Sequence, residues 1–123
     1  MEIIAHELNG IKAAEVISPT IIIANEEEGL NLLGNLYYQN FDVVIIYAKN
    51  ITPAFFDLKN GIAGEILQKF SNYRVKLAII GDFDYYTSNG LRDFIVESNQ
   101  TGQVIFIREK SEALSILAKK RVA

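Results

Sequence analysis

TPAFFDLKNGIAGEILQKFSNY, residues 52–73, lies between two short apolar runs, DVVIIY (42–47) and VKLAIIG (75–81). Continuous runs of that length, rich in β-branched residues, are what strands buried on both faces look like. A strand, a helix and a strand in that order make a parallel crossover unit. The inner stretch carries the helix signal. Thr52 can accept a hydrogen bond from a free amide, and Pro53 loses nothing at a first helical position. Phe55, Leu58, Ile62, Ile66 and Phe70 recur at helical spacing, widened by Ala63 and Leu67. This reading predicts the longest helical stretch of the chain.

The opposite face of that stretch holds Gly61, Gly64, Glu65 and Gln68. A glycine in a helix interior costs about 1 kcal/mol against alanine. Two readings account for the pair. In one, the helix is two pieces: the first ends near Leu58, Asn60 caps the second, and Gly61 falls in its first turn. In the other, a smooth glycine-lined face lets a backbone or a ligand approach closely.

Outward from this centre, residues 2–8 and 11–17 are β-type runs joined by Asn9-Gly10, a strong hairpin signal. A two-residue turn pairs Leu8 with Ile11 and Glu7 with Lys12, and leaves His6 diagonal to Glu15. His6 is the only histidine, and on a regular strand without a neighbouring hydroxyl nucleophile it reads as structural or solvated. Ser18-Pro19-Thr20 ends the second strand, and residues 21–23 form an extended connector. Asn25 and Glu28 have capping-box spacing, and Glu26, Glu27 and Glu28 suit the positive end of a helix dipole. Leu30, Leu33, Leu36 and Tyr37 mark the expected buried stripe of that helix, which runs to about Gln39.

Toward the carboxyl end, Ser88 caps a helix with Leu91, Phe94 and Ile95 inward, broken at Gln100-Thr101-Gly102. QVIFIR (103–108) is another buried strand. Ser111 caps a last helix with Ala113, Leu114 and Leu117 inward, closed by Lys119, Lys120 and Arg121. The order is β-β-α-β-α-β-α-β-α. It predicts an α/β fold: an N-terminal hairpin, then right-handed β-α repeats forming a mixed sheet.

The chain has 123 residues, half of them hydrophobic, which suits a single domain over residues 1–123 with one real core. A net charge of −3 and a pI near 5.1 speak against a nucleic-acid partner. Cysteine is absent, which excludes disulfides and thiolate chemistry. No signal peptide or membrane span is expected, and a cytoplasmic location follows.

Two resemblances are carried by these residues. The element order resembles the anti-anti-sigma factor, or STAS, fold. Its helix after the third strand opens with a motif like Asp-Ser-Ser-Gly-Leu-Gly, and Phe56 to Gly64 stands in that place with one extra residue. Residues 111–114, SEAL, fall where that family has a similar run. A closer likeness is to a bacterial family, domain of unknown function 4180. Its signature is similar to residues 55–73, 77–83 and 91–99, with Asn60 where a threonine is expected. The second resemblance implies membership and no activity. The first implies partner docking switched by phosphorylation of a hydroxyl at the helix start. Here no serine, threonine or tyrosine lies between Thr52 and Ser71, so docking without that switch is expected.

Enzyme signatures are few. No G-x-x-x-x-G-K-[ST] loop and no metal-ligand spacing is present, so no cofactor and no metal is expected. Asp82 and Asp84 suit Asx-turns better than a cation. Loops at the carboxyl ends of parallel strands are the favoured place for ligands. There the sequence gathers Asp57, Lys59, Asn60, Gly61, Gly64, Glu65, Asp82, Tyr86 and Arg92, with Tyr47, Lys49, Asn50 and Tyr85 nearby. The expectation is a non-catalytic binding or regulatory module with an unidentified protein partner. The alternative is a small-molecule-binding protein or minor enzyme using the same loops. If all helices lay on one side of the sheet, the bare side would also call for a homodimer.

Overall fold

The computed structural model describes residues 1–85 and 88–119. Five strands form one mixed sheet in the order β1-β2-β3-β4-β5. They are β1 Glu2–Leu8, β2 Ile11–Ile17, β3 Val43–Tyr47, β4 Lys76–Ile80 and β5 Val104–Ile107. The β1–β2 pair is antiparallel and the other pairs are parallel. Four α-helices follow in turn: α1 Glu26–Tyr38, α2 Ile62–Asn72, α3 Asn89–Thr101 and α4 Lys110–Lys119. The expected α/β architecture, hairpin first and β-α units after, is the observed one.

The hairpin turn has positive φ at both Asn9 and Gly10, the backbone that a two-residue turn between twisted strands demands. Its register is the expected one, with Leu8 opposite Ile11 and Glu7 opposite Lys12. Each parallel strand lies beside the one before it. Crossovers of one hand in one direction therefore put α1, α2 and α3 on the same face. There Leu33, Leu36, Ile66, Phe70 and Leu91 meet Val16, Val44, Ile46, Ile79 and Phe106. Helix α4 is not a crossover. It folds back over the opposite face, where Ala113 is buried with Ile45, Ala78, Ile80 and Ile105. The condition attached to the homodimer expectation is thus not met, because helices cover both sides of the sheet.

Several local expectations are corrected. The central stretch is not the longest helix: α2 has 11 residues, and α1 and α3 have 13 each. Residues 52–61 instead make two 3₁₀ turns, Pro53–Phe56 and Leu58–Asn60. In α1 the buried side is Gly29, Leu32, Leu33 and Leu36, while Tyr37 is exposed. The helix is rotated because Gly29 lies against Ile66 of α2. Ser111 is inside α4, which starts at Lys110. Tyr86, Lys120 and Arg121 lie outside the described residues, as does the side chain of Leu117. The caps of α1 and α3 are as read: Asn25 accepts from the Glu28 amide at 2.9 Å, and Ser88 accepts from Leu91 at 3.5 Å.

Candidate functional site

After β3 the chain does not enter a helix directly. Thr52 accepts from the Ala54 amide at 3.4 Å, and Pro53 opens a short turn that buries Phe55 and Phe56. Asp57 accepts from the Lys59 amide at 3.3 Å and starts the next turn. Asn60 then ties the segment together. Its Nδ2 donates to the Ala54 carbonyl at 2.7 Å, and its Oδ1 accepts from the Ile62 amide at 2.9 Å. Gly61 has φ +81°, a left-handed conformation that costs a side-chain-bearing residue about 1–2 kcal/mol. The break is therefore held by a side-chain clamp and by a residue that suits the turn.

This segment lies beside the start of α3. Between them is an open groove of about 420 Å³, lined by Pro53, Phe56, Asp57, Leu58, Lys59, Ser88, Gly90 and Leu91. Its lining is mostly apolar, with Asp57 and Lys59 supplying one charge of each sign. Both walls follow the carboxyl ends of parallel strands, β3 and β4.

Of the residues the sequence pointed to, Asp57 and Lys59 line the groove. Asn60 and Gly61 are not among the lining residues; they shape the turn that follows the groove segment. Gly64 and Glu65 lie on the exposed side of α2, and Arg92 is exposed in the first turn of α3, none of them among the lining residues. Asp82 belongs elsewhere: it accepts from the Asp84 amide at 3.1 Å and pairs with Arg108 at 3.3 Å. Leu58 and Leu91, whose spacing read as core, do pack in or against the core and also line the groove, as does Phe56; Leu91 is 3% and Phe56 6% exposed.

A second polar constellation lies on the α4 side of the sheet. Glu15 of β2 is only 2% exposed. It accepts from the Tyr47 hydroxyl at 2.6 Å, meets His6 Nε2 at 2.8 Å, and faces the Lys110 ammonium at 3.4 Å. Burial pushes Glu15 up, but the hydrogen bonds from Tyr47 and His6 and the charge of Lys110 outweigh it, holding the carboxyl below its usual range. Burial and the adjacent Glu15 carboxylate push Tyr47 up to about 12. Tyr47 thus keeps its proton at neutral pH, and Glu15 stays anionic. The cluster joins β1, β2, β3 and α4, and its chemistry is that of a structural tie. The diagonal placement of His6 was legible in the sequence, whereas the burial of Glu15 was not.

Two further hollows flank the sheet. Near the end of β3, Ile17, Ser18, Tyr47, Lys49 and Asn50 line about 120 Å³. Buried Asn50 donates through Nδ2 to the carbonyls of Ser18 and Thr20, at 2.8 and 2.7 Å, while its Oδ1 has no hydrogen-bond partner. At the opposite end of the sheet, Gly34, Tyr37, Tyr38, Asn72, Tyr73 and Arg74 line about 510 Å³, with the Tyr37 and Tyr73 rings 5.0 Å apart. Among the described residues no cluster of three or more histidines, cysteines or acidic residues could hold a metal ion, and no helix is long and apolar enough to cross a membrane.

No curated protein and no solved structure matches the chain. A family model does: that of the domain of unknown function DUF4180, over residues 8–117. The match takes in the hairpin turn, both walls of the groove and four of the five strands entire, and the chain belongs to the DUF4180 family.

Proposed function

We propose that this chain is a non-catalytic binding module that docks a protein partner through the groove between residues 53–60 and the start of α3. One observation carries the reading: an open, apolar groove rimmed by Asp57 and Lys59, at the strand ends where α/β folds collect their ligands. An apolar floor inside a charged rim suits an inserted apolar side chain flanked by polar residues, the usual anatomy of a protein contact. The STAS-like element order supports the same end of the molecule. A cytoplasmic home suits a chain without cysteine.

The test is capture from host lysate with three tagged forms of equal melting temperature: wild type, Leu58→Asp in the groove, and Tyr38→Ser at the far end. A protein held by wild type and Tyr38→Ser but lost by Leu58→Asp is the expected result. Equal capture by all three forms contradicts the proposal.

A second reading, a small-molecule binder, rests on Asn50. A buried carbonyl oxygen without a donor is costly, and the hollow beside it has room for a small donor or a water. Native mass spectrometry separates the readings. A retained small-molecule mass that disappears in Asn50→Leu supports the second, and the bare chain mass supports the first.

A further inference from the structure

The two edges of the sheet are treated differently. On β5 the amides of Leu77 and Gly81 reach the carbonyls of Gln103 and Ile107, so Phe106 turns its own amide and carbonyl outward. Asn99 of α3 closes that outward position. Its Oδ1 accepts from the Phe106 amide at 2.7 Å, and its Nδ2 donates to the Phe106 carbonyl at 3.1 Å. A side chain therefore stands in for a neighbouring strand, and β5 has only four residues.

β1 has no such cover among the described residues. It runs seven residues, EIIAHEL, paired with β2 at every position without a bulge. It contains no proline and no lysine, two of the devices that keep edge strands from pairing. In a two-residue hairpin the closing pair, here Leu8 and Ile11, is hydrogen-bonded, and alternate residues share its pattern. Glu2, Ile4, His6 and Leu8 thus spend their amides on β2, while Ile3, Ala5 and Glu7 turn theirs outward. Ala5 and Glu7 are exposed.

We propose that β1 is the interface between two copies of this chain, joined edge to edge about a two-fold axis at Ala5. The edge is complementary to a second copy of itself. In the antiparallel register centred on Ala5, Ile3 pairs with the second copy's Glu7 and Ala5 with its own counterpart. Only this register pairs all three outward residues with one another. Glu2 then falls opposite Leu8, and Ile4 opposite His6, so no glutamate faces a glutamate. Ile4 and Leu8, 38% and 37% exposed, gain cross-strand neighbours. The two sheets become one, and an interface of this kind closes with two members.

Static light scattering across a wide concentration range tests this, with Ala5→Pro and Ala5→Lys beside wild type. Proline removes an outward donor without touching the β1–β2 ladder, and lysine puts like charges opposite each other at the axis. The expected result is twice the chain mass for wild type and the single-chain mass for both variants, with unchanged circular dichroism. A wild-type mass of one chain at every concentration overturns the proposal. So does a dimer that both variants keep. Should Ala5→Pro misfold, Ala5→Lys decides. Should both misfold, hydrogen exchange of wild type decides: the amides of Ile3, Ala5 and Glu7 are protected when concentrated and released on dilution if β1 is the interface, and unprotected throughout if it is not.

Discussion

Glu15 is the residue whose chemistry its neighbours most determine. It is buried in a mostly apolar sheet face that includes Ile45, Ala78 and Ile80, and is tolerated there because three donors surround it. Glu15→Ala leaves the Tyr47 hydroxyl without its acceptor and frees His6 and Lys110, at a cost of roughly 2–4 kcal/mol in a urea titration. The pH dependence follows from the direction of the shift. The folded-state pKa of Glu15 lies below its ordinary 4.5, so its contribution is present above that value and is lost as pH falls through the folded-state pKa. The stability gap between wild type and Glu15→Gln should therefore narrow on acidification below about pH 4.5, and a gap that stays constant to pH 3 contradicts the assignment. Tyr47 works in the other direction. Its folded-state value near 12 means that its contribution is intact below pH 10 and lost as pH rises through 12. The sequence put His6 near Glu15 through hairpin register alone. It did not show that Glu15 is buried, because that depends on α4 folding onto this face and bringing Lys110 with it, from 95 residues away.

At the scale of elements, the hairpin and the caps of α1 and α3 were legible because each rests on local chemistry within four residues. The central stretch was only half legible. Its apolar spacing fits a continuous helix, yet Phe56 is buried as well as Phe55, and the Asn60 clamp with Gly61 turns the chain before α2 begins. Of the two readings of the glycine pair, the broken helix with Asn60 at the second start is the one observed, and the two glycines have different reasons to be there. Gly61 needs its positive φ, whereas an added Cβ at Gly64 meets nothing within 4 Å. Gly61→Ala should lose about 1–2 kcal/mol, and Gly64→Ala should gain about 0.5–1 kcal/mol by trimming the freedom of the unfolded chain. In thermal melts these are opposite shifts of a few degrees. Shifts of the same sign contradict this account of α2. The placement of α4 was not legible, since nothing in its own pattern says which sheet face it will cover.

Across the whole molecule, one-directional parallel crossovers stack α1, α2 and α3 on one face and leave the strand ends free to build a site. Alternation of strands and helices made the element order and the parallel pairing readable from sequence, while the face each helix covers was left open. The site was readable in part: Asp57 and Lys59 were found as polar residues after a strand, whereas Leu58 and Leu91 were read as core, where they do pack, and their place in the groove was not seen. Hydrogen exchange of the chain with its captured partner reads out whether docking takes place at this groove. New amide protection is expected in residues 53–61 and 88–92, with the Tyr37, Tyr38 and Tyr73 region unchanged. Protection around those tyrosines, with residues 53–61 and 88–92 exchanging as in the free chain, would contradict it.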